Sequence, residues 1–419
     1  MRKHAAWPAI LLAGVFFFAG FRCGGARGSA PPPPSTPSVS HPEQPPSPPA
    51  PGSGPKPETE RRPVRTVRIP AEPKTTQERF ERAWVEFGEL QTETSLTSEE
   101  KQARLRKAIG YARAAVKERP GEASYAESLA YMYMMDRSYA FARDYFGKAR
   151  KLTPEQPRIA LLQALASAAV VINQAERREG EITAAVGGFG KAAELDEKNS
   201  LPHLVAASVA FALKRPDLAR AEIEKALKRE ELRLYFLPVP EVVNPEDKVS
   251  STSLFYICEF SFWRELRSHF SNIVGGCIQA GRALEAAKPA EEGKTEAEKE
   301  AETKKRLEAA LDWYDLALRV GKQVAHPRPL LYHVVLDALR FLEQSYAVQE
   351  QALRALGRTR EATDAYTEQG VVSMARIYGE DQMKEYVNLL ETKRPSSWAE
   401  IEEIEAKTAS MLQRWVAPS

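Results

Sequence analysis

His333 and Asp337 in LYHVVLDALR stand one helical turn apart, so an imidazole and a carboxylate share one face and could act as an acid–base couple or as two ligands of one ion. A metal would need a third histidine or cysteine at ligand spacing, and none is suitably placed, so a hydrogen-bonded pair on a helix face is the plainer reading. Glu122 and Glu127 in GEASYAES could supply the buried acid of a cell-wall lytic enzyme, which requires a glutamate in a cleft beside a hydrogen-bonded neighbour. The glycine pairs in VGGFG and IVGGCIQAG lack the lysine and the serine or threonine of a phosphate loop, and read as sites of close helix packing. His326 in VAHPRP falls in a turn. Cys258 and Cys277 could bridge only across a break at Gly275–Gly276; in one continuous helix their sulfurs would lie roughly 28 Å apart. These residues therefore predict a non-enzyme with neither cofactor nor metal.

The elements that carry those residues are helical. Tyr256, Phe260, Trp263, Leu266, Phe270, Ile273 and Cys277 recur at three- and four-residue steps, and such periodicity runs from Thr76 to the C-terminus without strand-like alternation. Thr97 with Glu100, and Ser397 with Glu400, have capping-box spacing, and Pro216 suits a first helical position. The segment RLYFLPVPEVVNPEDKVSS predicts an extended connector over 236–251, and AAKPAEEGKTEAEKEAETKK a charged loop or a solvated helix start.

The N-terminus has another character. A basic start (MRKH), an apolar run over residues 5–21 and the small residues GGARGSA have the layout of a secretory signal over 1–30. It is either cleaved or kept as a membrane anchor, because about 17 apolar residues is the short end of a spanning length. Cys23 follows the run as in a lipoprotein, but Arg22 stands where a lipobox has a small residue. Residues 31–75 are rich in proline and serine and predict a disordered spacer reaching ~100 Å. An exported, periplasmic or extracellular protein is expected, touching a membrane only through its N-terminal segment. Lysine and arginine (59) nearly balance aspartate and glutamate (57), so nucleic acid is not an expected partner.

Within the helical part, Leu129, Ala130, Tyr133, Ala142, Phe146, Ala149 and Pro154 are spaced so that alanines mark helix crossings and rings fill the gaps beside them. This stretch resembles the tetratricopeptide repeat, a helix hairpin of roughly 34 residues. Neighbouring segments keep the register: Ala108, Ala115 and Pro120 precede it, Ala185, Phe189 and Ala192 follow with an insertion near AERREGEI, and Ala207, Ala219, Ile223 and Ala226 come next. A degenerate echo remains at Gly357, Ala362 and Tyr366.

The resemblance implies an all-α, TPR-like α-solenoid over 76–235, with a further helical region over 252–419. It also implies a concave groove lined by Glu127, Tyr131, Met134, Met135, Leu161, Leu165, Leu204 and Phe211, apolar enough to take a peptide segment of a partner protein. The expected role is thus a non-enzymatic envelope scaffold. Two features compete with it: the connector near Pro238, or the aromatic helix from Leu254, could cover the groove, and the solenoid could associate with itself through apolar ends.

Overall fold

Helix starts fall where the capping residues and prolines place them. The Thr97 hydroxyl accepts from the Glu100 amide while the Glu100 carboxylate accepts from the Thr97 N–H at 2.7 Å, which satisfies two donors that a helix start leaves open. Thr295 and Glu298 repeat the motif at the end of the charged segment. Pro157 and Pro216 each open a helix, where a missing N–H costs nothing.

In the computed structural model the described residues are 65–66, 72–92, 96–239, 242–243, 251–287, 295–328, 332–393 and 398–413. They form α1 (Thr76–Thr92), α2 (Ser98–Glu118), α3 (Ala123–Met135), α4 (Tyr139–Leu152), α5 (Pro157–Ile172), α6 (Glu179–Gly187), α7 (Gly190–Leu195), α8 (Leu201–Ala212), α9 (Pro216–Ala226), α10 (Ser251–Ala286), α11 (Glu296–Val324), α12 (Tyr332–Ala355), α13 (Thr359–Lys393) and α14 (Trp398–Gln413). The predicted signal over 1–30, nearly all of the spacer over 31–75, and Ser397 of the second capping box lie outside the described residues. Four two-residue strands, which the periodicity does not announce, pair in parallel: β1 (Arg65–Thr66) with β3 (Val242–Val243), and β2 (Leu232–Arg233) with β4 (Pro327–Arg328).

The helices pack as successive hairpins, α1 with α2, α3 with α4, α5 with α6 and α7, α8 with α9, α10 with α11, and α12 with α13, the TPR-like arrangement of an all-α solenoid. Three of the turns share one backbone solution. Ser138 N–H donates to the Tyr133 carbonyl and Arg137 N–H to that of Met134; Arg215 and Lys214 do the same to Ala210 and Phe211, and Arg358 and Gly357 to Leu353 and Arg354. This is the Schellman closure, with a left-handed residue at Arg137 (φ 61), Lys214 (φ 60) or Gly357 (φ 71).

The register alanines are buried at the crossings: Ala142, Ala149, Ala185, Ala192, Ala219 and Ala226, with Phe146, Phe189 and Ile223 between them. The same spacing recurs, unnoticed in the sequence, at Ala310, Tyr314 and Ala317 of α11, all buried. The insertion after α5 is taken up by a loop and by a split second helix, broken where Gly188 closes α6. That glycine pair is a helix stop and not the close contact expected of it, because a Cβ would meet nothing at Gly187 and only ordinary contacts at Gly188.

α10 runs unbroken through Gly275–Gly276, so Cys258 and Cys277 sit on one helix and Cys277 is a free, buried thiol. At 36 residues it is about 54 Å long. It packs on α8, on α12 and on α1 of the first hairpin, so it spans first helices from distant repeats. Most of the predicted connector over 236–251 lies outside the described residues, and the chain just before it is tied down. Buried Asn199 bonds Arg233 through both its amide nitrogen (2.9 Å, to the carbonyl) and its oxygen (2.9 Å, from the N–H), and Tyr235 donates to Asp196 at 2.9 Å.

Candidate functional site

The predicted groove positions do come together, but in the interior. Glu127, Tyr131, Met134, Leu161, Leu165 and Leu204 are buried, and Met135 and Phe211 are partly so, packed against the same core. Tyr131 is 0 % exposed, its ring 5.9 Å from that of Phe87 on α1. Arg158 of α5 grips Glu127 with two bonds, Nε to Oε1 at 2.5 Å and Nη2 to Oε2 at 2.8 Å. Burial pushes the Glu127 carboxyl up and the Arg158 charge pulls against it. This glutamate is a tie between repeats.

Helix α10 supplies the cover at the far end. A Cβ on Gly276 would come within 2.6 Å of the Phe211 ring, and one on Gly281 would run into the Tyr314 ring, so glycine at these two positions is what lets the helix seat. Phe211 also meets Trp313 of α11, ring centroids 6.2 Å apart. Between α8 and α10 the buried His269 Nδ1 and Ser208 Oγ are hydrogen-bonded at 2.8 Å. Burial lowers the His269 pKa to about 4, which keeps that imidazole neutral.

The His333–Asp337 pair shares a helix face as expected, yet the carboxylate is engaged: Arg340 donates to Oδ1 at 2.8 Å and Arg267 of α10 to Oδ2 at 2.9 Å. Burial, with Arg267 assisting, holds His333 down to about 4. Asp337 is therefore a junction between α10 and α12.

Among the described residues, two surfaces of the first two hairpins remain open to a partner. On the α3–α4 hairpin Phe141 (59 % exposed), Tyr133 and Tyr145 form a stacked ladder, with centroids 5.4 Å and 5.6 Å apart. Lys148 Nζ lies 4.1 Å over Tyr145, and Arg113 of α2 lies over Tyr133 and donates to its hydroxyl at 2.7 Å. Tyr133 is the core ring its register predicts, 6 % exposed, and the outer rings stacked on it escaped the sequence reading; their signal is Phe141, whose spacing from the register alanines fits no core position. The second surface is a cleft of about 330 Å³ between α1 and α2, lined by Arg82, Glu86, Ala103, Arg104 and Lys107. Its cations are partly spoken for, since Arg82 (2.7 Å) and Lys107 (2.6 Å) both bond Glu86. Among the described residues no helix is long and apolar enough to cross a membrane.

No family model matches the sequence, and no curated protein matches it. Similar solved structures include an IFIT1 monomeric mutant with m7Gppp-AAAA, at 14 % identity and a TM-score of 0.24, over 75 % of this chain and 68 % of that one. Another is an IFIT1 monomeric mutant with Gppp-AAAA, at the same identity and score, over 75 % and 77 %. Likeness at that level carries no argument about a ligand.

Proposed function

We propose that the protein is a non-enzymatic helical-repeat scaffold, exported and held outside the cytoplasmic membrane, which binds a peptide segment of an envelope protein on its outer surface. The observation that carries this reading is the burial of the groove positions against the chain's own helices, Tyr131 above all. A groove so filled offers an incoming peptide no entry. The aromatic ladder then becomes the binding surface with the best chemistry: the exposed Phe141 ring, with half-buried Tyr145 beside it and buried Tyr133 supporting both, for apolar or proline-bearing side chains, and Lys148 and Arg113 for acidic ones. Nucleic acid is left out of the reading on charge balance.

The test is affinity capture from envelope extract by the full chain, quantified for each retained protein. Phe141→Ala is expected to lose the specific partner, while a chain with α10 cross-linked to α8 through Ser208→Cys and His269→Cys retains it. Loss in the cross-linked chain with full retention by Phe141→Ala would mean that the groove opens, and would overturn the outer-surface assignment.

A further inference from the structure

In the second helices of the hairpins, the residue four places after the first register alanine is buried. Ala112, Phe146, Phe189, Ile223 and Tyr314 follow Ala108, Ala142, Ala185, Ala219 and Ala310, and none is more than 1 % exposed. Each lies in a hairpin whose helices pack on the first helix of the next: α2 on α3, α4 on α5, α6 and α7 on α8, α9 on α10, α11 on α12. In α13 the register alanine Ala362 is buried like the others, but Tyr366, its partner four places on, is 62 % exposed.

Among the described residues no second-helix partner of a further hairpin covers α13. Its only successor among the described residues is α14, which packs on α12 and α13 and brings Leu412 against Gly379. The part of α13 before Gly379 is left uncovered, and there Met374 (64 %), Ile377 and Tyr378 are exposed beside Tyr366. Tyr366, Gly370, Met374 and Ile377 recur at helical spacing on the face opposite buried Ala365, Val372 and Ala375. Gly370 sits mid-stripe with nothing within 4 Å of where a Cβ would stand.

Charge marks the two ends of the stripe. Arg360 lies on its N-terminal side and Asp381 on its C-terminal side, both exposed. Their midpoint falls at Gly370 and Val371. A two-fold axis there would set Arg360 of each copy against Asp381 of the other, and the bare backbone at Gly370 would let the two helices cross closely.

We propose that this face of α13 is a self-association surface, on which a second copy of the chain packs antiparallel, in the position that the next hairpin's first helix takes on the earlier second helices. An interface of one helix face is smaller than the ~1,600 Å² of a standard complex, so a transient, concentration-dependent dimer is expected.

Light scattering and sedimentation of the full chain across micromolar concentrations test it. The wild type is expected to dimerise with concentration, and Met374→Glu to raise the dissociation constant ~10-fold or more. Arg360→Glu and Asp381→Arg are each expected to weaken the dimer, and the double variant to restore it, an outcome only antiparallel pairing gives. A chain that stays monomeric throughout overturns the proposal and leaves the stripe to another protein's helix. A dimer untouched by Met374→Glu overturns it equally, placing the contact elsewhere. Circular dichroism of each variant verifies that helicity is kept.

Discussion

At Gly276 on α10 the helix has no room for a side chain, whereas its neighbour Gly275 has nothing within 4 Å. Two adjacent glycines thus have opposite expected costs. Gly276→Ala drives a methyl into the Phe211 ring and should destabilise by ~1–3 kcal/mol. Gly275→Ala removes backbone freedom from a helix interior and should stabilise by ~0.5–1 kcal/mol. Urea unfolding of the two variants reads both. His269 gives a second residue-level outcome, in pH. Its folded pKa of about 4 lies below the 6.5 of a free imidazole, so between those values the unfolded chain binds the extra proton. The contribution is fully present above pH ~6.5 and is lost as pH falls towards about 4, up to ~3 kcal/mol per imidazole. His333 titrates in the same direction. The melting temperature should fall over that window, and less steeply in His269→Gln.

Between elements, the repeats are joined by alanine crossings and by a few buried polar ties, of which Glu127 to Arg158 links α3 to α5. Removing only the cation strands a buried carboxylate, so Arg158→Met should cost ~3–5 kcal/mol. Neutralising both ends in Glu127→Gln/Arg158→Met should recover part of that loss, and a double-mutant cycle in urea measures the difference. Much at this scale was legible beforehand. The Thr97 box, the Pro157 and Pro216 starts and the register from Ala108 to Ala226 follow from local chemistry that a sequence carries openly. The fifth hairpin was missed because its first helix, α10, is so long that Ala310, Tyr314 and Ala317 fall far from where a fixed repeat length would put them. VGGFG was misread because a glycine that ends a helix and one that admits a neighbour look alike without the neighbour's position.

For the whole molecule, the decisive relation is the one that spacing could not settle: whether the residues lining the first helices face a partner or the chain itself. The types at Tyr131, Met134 and Leu204 suit either, since an apolar groove and an apolar core are built from the same side chains. What distinguishes them is the chain's own packing, Phe87 of α1 against Tyr131 and α10 against the α8 that carries Leu204. Methionine oxidation of the intact chain, followed by peptide mass spectrometry, examines that relation without any substitution. Met134 is buried and Met374 is exposed, so one sample holds both the probe and its standard. In dilute native protein Met374 should oxidise at nearly its unfolded rate and Met134 more slowly by at least an order of magnitude. Equal rates at the two residues would mean that the groove stands open, and would contradict the account.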